Sequence, residues 1–136
     1  MKRHNLISLV QCLLVTACLI EFSSAEIPDG IKEVDSNKPE YKILAEESLN
    51  KYLKDSNANR HHKVVQIKKV TTQVVAGSKK TIVFHASPTN CELTNGVLKA
   101  DPKNCEVIDP SNTISCYSEI YERPWEHFKE ITVSCK

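Results

Sequence analysis

Six cysteines and five histidines are the side chains through which this chain could do covalent, redox or metal chemistry. Cys12 and Cys18 sit inside a charge-free apolar run, Leu6 to Ile20. That leaves Cys91, Cys105, Cys116 and Cys135, separated by 14, 11 and 19 positions. Zinc sites use close Cys-x-x-Cys or Cys/His spacings, and none occurs. His61 and His62 are adjacent but far in sequence from any cysteine, and His85 has no partner set for a nucleophilic triad. The four thiols therefore read as two disulfides, and no metal, cofactor or enzymatic activity is expected. Three pairings satisfy that count. Each closed loop would stabilise a small domain by about 3 kcal/mol in the chain-entropy model.

Chemistry without a nucleophile leaves recognition, and two stretches are composed for it. Gln73-Val74-Val75-Ala76-Gly77 lies between two β-rich runs, Lys63 to Thr72 and Thr81 to Phe84, joined as in a hairpin. Turns are usually built from Asn, Asp, Gly or Ser, so Val-Val-Ala at a tip is unusual. Apolar side chains exposed there are best explained by a partner that covers them. The plainer alternative makes Val74 and Val75 the last core-facing residues of a strand. Trp125, the chain's one tryptophan, follows Pro124 where a second hairpin must turn. An exposed tryptophan reads as a contact anchor; the alternative folds it back onto the sheet edge.

The elements that must position these tips follow in chain order. Lys2, Arg3 and His4, the apolar run and the small residues Ser23 to Ala25 make residues 1–25 a secretory signal peptide. A membrane helix needs about 20 apolar residues, and this run stops at Glu21. The expected mature domain is residues 26–136, secreted, with sixteen basic and sixteen acidic residues. That balance offers no positive excess for nucleic acid or a lipid surface. Glu26 to Asp35 carries no signal of regular structure, and Gly30 within it permits close approach by another chain. A helix is predicted from Pro39 to Asp55, with Asn37 and Glu40 as a capping box. Tyr41, Leu44, Ala45, Ser48, Leu49 and Tyr52 form its buried stripe.

A polar link, Asp55 to Arg60, leads into a long strand whose apolar parity slips at Lys68-Lys69, which marks a bulge. Ile82, Phe84 and Ala86 alternate in its antiparallel partner. Ser87 to Asn112 reads as a surface excursion with an Asn95-Gly96 turn, braced by Cys91 and Cys105. Ile114 to Glu122 and then Ile131 to Cys135 give the last two strands. The near-equal arms from Cys116 to Pro124 and from Trp125 to Cys135 suit a disulfide between them. The class is α+β, one helix on a twisted antiparallel sheet of four to five strands.

With Gly30, one helix, QVVAG, two cysteines in an excursion and two more flanking Pro-Trp in that order, the mature chain resembles a secreted, two-disulfide (type 2-like) cystatin. The resemblance implies a monomeric, reversible, competitive, tight-binding inhibitor of papain-like cysteine proteases, with cathepsins as its partners. Its protease-binding wedge would comprise Gly30, Gln73, Val74, Val75, Ala76, Gly77, Pro124 and Trp125. Gly77 would allow close approach to the protease, and tip substitutions would leave the fold alone. Asp29 and Arg123 stand where apolar residues are common, which points to a weak trunk, since a buried carboxylate costs desolvation. Some secreted cystatins also inhibit legumain through a Ser-Asn-Asp turn after the helix. Ser56-Asn57-Ala58 matches its first two residues, which makes Asn57 a candidate second site; the alternative is an asparagine that simply ends the helix. The rival function is a secreted cystatin-fold binding module, toxin or pro-domain without inhibitory activity. No Asn-x-Ser/Thr sequon occurs.

Overall fold

A computed structural model describes residues 30–136; the segment read as a signal peptide lies outside the described residues. The folded unit, Ile31–Lys136, comprises β1 (Ile31–Val34), α1 (Pro39–Asp55), β2 (Arg60–Val75), β3 (Gly77–Thr94), β4 (Val97–Leu98), β5 (Ile114–Arg123) and β6 (Phe128–Cys135). The main sheet runs β1-β2-β3-β5-β6, with every neighbouring pair antiparallel. The two-residue β4 extends the far end of β3 and makes the sheet six-stranded, one more than expected. The cysteines pair as Cys91–Cys105 and Cys116–Cys135, as read from the sequence.

Helix α1 has the bounds expected of it but not the cap. Lys38 is the N-cap, with no side-chain hydrogen bond. Pro39 decides this, because a residue before proline is pushed out of the helical region. Lys38 is accordingly extended, at φ −66° and ψ 136°. The N–H of Asn37 is already bonded to Asp35 Oδ1, at 3.0 Å, so the anticipated Asn37–Glu40 capping box does not form. The buried stripe is Tyr41, Leu44, Ala45, Ser48, Leu49 and Leu53, with Tyr52 partly covered. It packs on Val70, Ile82, Phe84, Ala86, Cys116 and Ile120 of the sheet. Burying each large apolar side chain is worth about 1.5–3 kcal/mol, and packing of this kind, more than propensity, holds such helices. Between helix and sheet, Ser48 Oγ donates to Leu44 O (2.8 Å) and shares a 2.6 Å hydrogen bond with Ser118 Oγ of β5, so this buried polar pair is satisfied.

Three readings of the strands need correction. The residues after Gly30 are not irregular: Ile31–Val34 pairs with Val70–Gln73 as an edge strand. Its short, half-polar sequence, IKEV, carries little strand signal on its own. The β2–β3 register shifts three times, between Arg60 and His62, Val64 and Gln66, and Ile67 and Lys69. Only the last was legible; each adds local twist, which helps bend the sheet around α1. Finally, β3 does not end near Ala86 but runs to Thr94, through Ser87, Pro88, Thr89 and Asn90. Those residues look like a loop, yet Ser87 and Thr89 are fully buried. Pro88 is tolerated opposite His62, beside a register shift, where a missing N–H disturbs little. The true excursion begins at the Asn95-Gly96 turn, whose φ values of 50° and 73° suit a tight hairpin.

Candidate functional site

The first tip is as small as a hairpin permits. Val74 pairs with Ser78 and Val75 with Gly77, which leaves Ala76 alone at the apex. Val74 is 87% exposed, and Val75 and Ala76 are exposed as well. The core-facing alternative for the two valines therefore does not hold: the core face of β2 ends at Val70. Gln73 is half-buried and pairs with Ile31 of β1.

Gly77 is needed by the fold itself. Its φ is +110°, and a Cβ there would collide with the carbonyl oxygen of Glu122 and stand 3.0 Å from Arg123 Cγ. The close approach is made by β5 of the same chain. Substituting Gly77 therefore strains the sheet, contrary to the expectation that changes at the tip spare the fold.

The second tip is a single 3-10 turn, Pro124–Glu126, entered from Arg123 and left through His127 in the left-handed region at φ 51°. His127 N–H donates to Pro124 O at 3.1 Å, and the pair Arg123–Phe128 closes the hairpin. Pro124 is exposed, and Trp125 is 64% exposed, projecting rather than folding back onto the sheet. Because Ser78 pairs with Glu122, both tips emerge at the same end of the sheet.

Sequence reading missed the residues that join them. Tyr121 of β5 donates its hydroxyl to Ala76 O, 2.6 Å away at the apex of the first tip. Arg123 lays its guanidinium 4.4 Å from the Phe128 ring centroid and 5.5 Å from that of Tyr121. Those two rings meet edge to face, with centroids 5.9 Å apart. Arg123 Nε lies 3.1 Å from Glu126 Oε2, as an ion pair outside hydrogen-bond geometry. Tyr121 pairs with Glu130 and Phe128 with Arg123, so the two rings are diagonal across β5–β6, a proximity that only the register reveals.

Gly30 precedes the folded unit, with φ +61° and open space where a Cβ would be. Asn57 lies at the other end of β2. It takes the left-handed position, φ 53°, that ends α1: its N–H donates to Lys54 O (3.1 Å) and that of Ala58 to Leu53 O (2.9 Å). That is the Schellman arrangement, in which asparagine is a common substitute for glycine. A helix stop thus accounts for Asn57, which remains exposed. Gly96 packs against the same helix end, since a Cβ on it would stand 2.6 Å from Lys54 Cα.

Near this end His61 is buried, with Nδ1 3.1 Å from Thr89 Oγ1. Thr89 spends its own hydroxyl hydrogen on His61 O, so Nδ1 carries the proton that closes the pair. Burial, then the charges of Lys63 and His62, hold the His61 pKa below its ordinary 6.5. Among the described residues no three His, Cys, Asp or Glu side chains gather as metal ligands, and no helix is long and apolar enough to cross a membrane.

One helix on the sheet, two disulfides and two exposed apolar tips at one end of the sheet are the features of the described fold. The cystatin domain model matches residues 29–125. Kininogen-1 of Rattus norvegicus is 33% identical over 119 residues, covering 87% of this chain but 18% of the kininogen. A cystatin of Naja kaouthia is 27% identical over 129 residues, 91% of each chain. The crystal structure of Al-CPI, 31% identical, superposes with a TM-score of 0.69 over 79% of this chain and 97% of that one. The chain thus spans less than a fifth of the kininogen's length. It belongs to the cystatin family, whose members are generally inhibitors of cysteine proteases and not enzymes.

Proposed function

We propose that this chain is a reversible, competitive, tight-binding inhibitor of papain-like cysteine proteases of the cathepsin type, acting outside the cell as a monomer. The observation that carries the reading is the pair of tips: Val74 at 87% and Trp125 at 64% exposure, projecting from one end of the sheet. Large apolar side chains held in water at preformed turns lose little entropy on docking and gain from burial. Gln73 to Gly77 and Pro124-Trp125, with the trunk at Gly30, would fill the substrate cleft as a wedge. The wedge covers the catalytic thiolate but offers it no peptide carbonyl at about 3–3.5 Å in line for attack. Inhibition then needs no chemistry from the inhibitor, in keeping with cysteines that are all paired among the described residues.

The test is titration of papain and of cathepsins with the folded protein, followed by mass analysis of the recovered inhibitor. Competitive inhibition with an intact chain is expected. A folded protein that inhibits none of them would favour the rival reading, a cystatin-fold binding module without inhibitory activity. Asn57 carries a separate, weaker proposal: substrate-like binding to legumain at the end of the molecule away from the tips. Legumain should be slowed by wild type, more by Ala58→Asp and not by Asn57→Lys. Equal inhibition by all three, or none by any, removes Asn57 from the site.

A further inference from the structure

The two tips come from different hairpins, yet the structure does not leave them independent. Four contacts converge between them. The Tyr121 hydroxyl bonds the Ala76 carbonyl. The Arg123 stem packs where Gly77 has no side chain. Its guanidinium lies over Tyr121 and Phe128. Its Nε pairs with Glu126, the residue after Trp125. A cation on an aromatic face is worth most when partly desolvated, and the Arg123 side chain is about two-thirds covered.

We infer that Tyr121 and Arg123 form a clamp that locks the two tips into one rigid surface, with Tyr121 positioning Ala76 and Arg123 positioning Trp125. The planar guanidinium is what the site uses, since it can stack on a ring and face a carboxylate together. The turn Pro124–Glu126 has no side-chain hydrogen bond at its N-cap, and none of its three residues is buried. Without the clamp, the tip carrying Trp125 would sample orientations that must be given up on docking, and affinity would fall by that ordering cost. The inference rests on the inhibitory reading for its affinity arm only.

Trp125 is the chain's one tryptophan, so its fluorescence anisotropy reports the mobility of the second tip with no protease present. Arg123→Met keeps an apolar stem of similar length; Arg123→Lys keeps the charge and loses the plane; Tyr121→Phe keeps the ring and loses one hydrogen bond. Both Arg123 variants should lower the Trp125 anisotropy. Both should weaken papain inhibition about tenfold, mainly through faster dissociation, at unchanged thermal midpoint. Tyr121→Phe should weaken it about fivefold, the scale of one hydrogen bond, and its effect should shrink once Trp125→Ala is also present. Unchanged anisotropy in Arg123→Met overturns the clamp. So does wild-type affinity in Arg123→Lys when Arg123→Met is weak, since that pattern marks a charge felt by the protease. If wild type inhibits nothing, the inhibitory reading falls, and the anisotropy of Arg123→Met still decides the clamp.

Discussion

The two tips solve one problem by different means. The first, Val74 to Gly77, is held by backbone: strand pairing up to Val75–Gly77, a glycine pressed against the Glu122 carbonyl, and a borrowed phenol on Ala76 O. The second, Pro124 to Glu126, is held by side chains: Arg123 on two rings and paired with Glu126. Both keep apolar groups in water without collapse, the first because its apex is too tight to fold back, the second because its stem is braced. A backbone-held tip is fragile toward any added Cβ. A side-chain-held tip tolerates truncation of what it displays. Damage to the first should therefore appear in folding and inhibition together, and damage to the Trp125 display in inhibition alone.

Gly77→Ala should give the largest effect. Backbone strain at φ +110° costs on the order of 1–3 kcal/mol, and the collision with Glu122 O adds to it. Each kcal/mol lowers the thermal midpoint of a domain this size by about 4–8 °C. A melt indistinguishable from wild type would mean that the tip can relax and is not backbone-held. Trp125→Ala should leave the melt alone and cost about 2 kcal/mol of binding, as for other aromatic anchors. Equal inhibition constants for the two proteins would remove the second tip from the contact surface.

The far end of the sheet supplies the control, since a change there should affect both tips alike through global stability. His61 is held neutral in the fold, with its pKa below 6.5, so below that value the unfolded chain binds more protons than the folded one. The His61 contribution is therefore fully present above pH 6.5 and is lost as pH falls toward the folded value. Urea midpoints should drop between about pH 7.5 and about pH 5 in wild type, and less in His61→Gln. Parallel curves would show that His61 protonation is not linked to folding. The smallest effect belongs to the trunk. Removing Glu26 to Asp29 should hardly change papain inhibition. Asp29→Val should tighten it toward cathepsin L-like enzymes by about 1 kcal/mol, at about 25 cal/mol per Å² of apolar area buried. Abolition on truncation would make the trunk a third anchor equal to the tips.

What the sequence determined by itself was whatever local pattern and covalent counting can express. Helical periodicity set α1 at Pro39–Asp55, period-two alternation set Ile82, Phe84 and Ala86 inward, and four cysteines in two well-spaced pairs became the two disulfides. The same local signals marked Val74-Val75-Ala76 and Trp125, because apolar residues at turns break a rule that needs no tertiary context. The tertiary structure alone decided the rest. The β1 strand, four weakly patterned residues, exists because β2 offers it an open edge. Ser87 to Thr94 is strand because β2 and Val107 lie beside it, not because of its residue types. Gly77 serves β5, and Arg123, a departure from pattern in the sequence, became the brace of the second tip. Such roles depend on which atoms the sheet register brings together, and no property of a local window encodes that arrival: Tyr121 reaches Ala76 across 45 positions because β3 and β5 pair in one sheet.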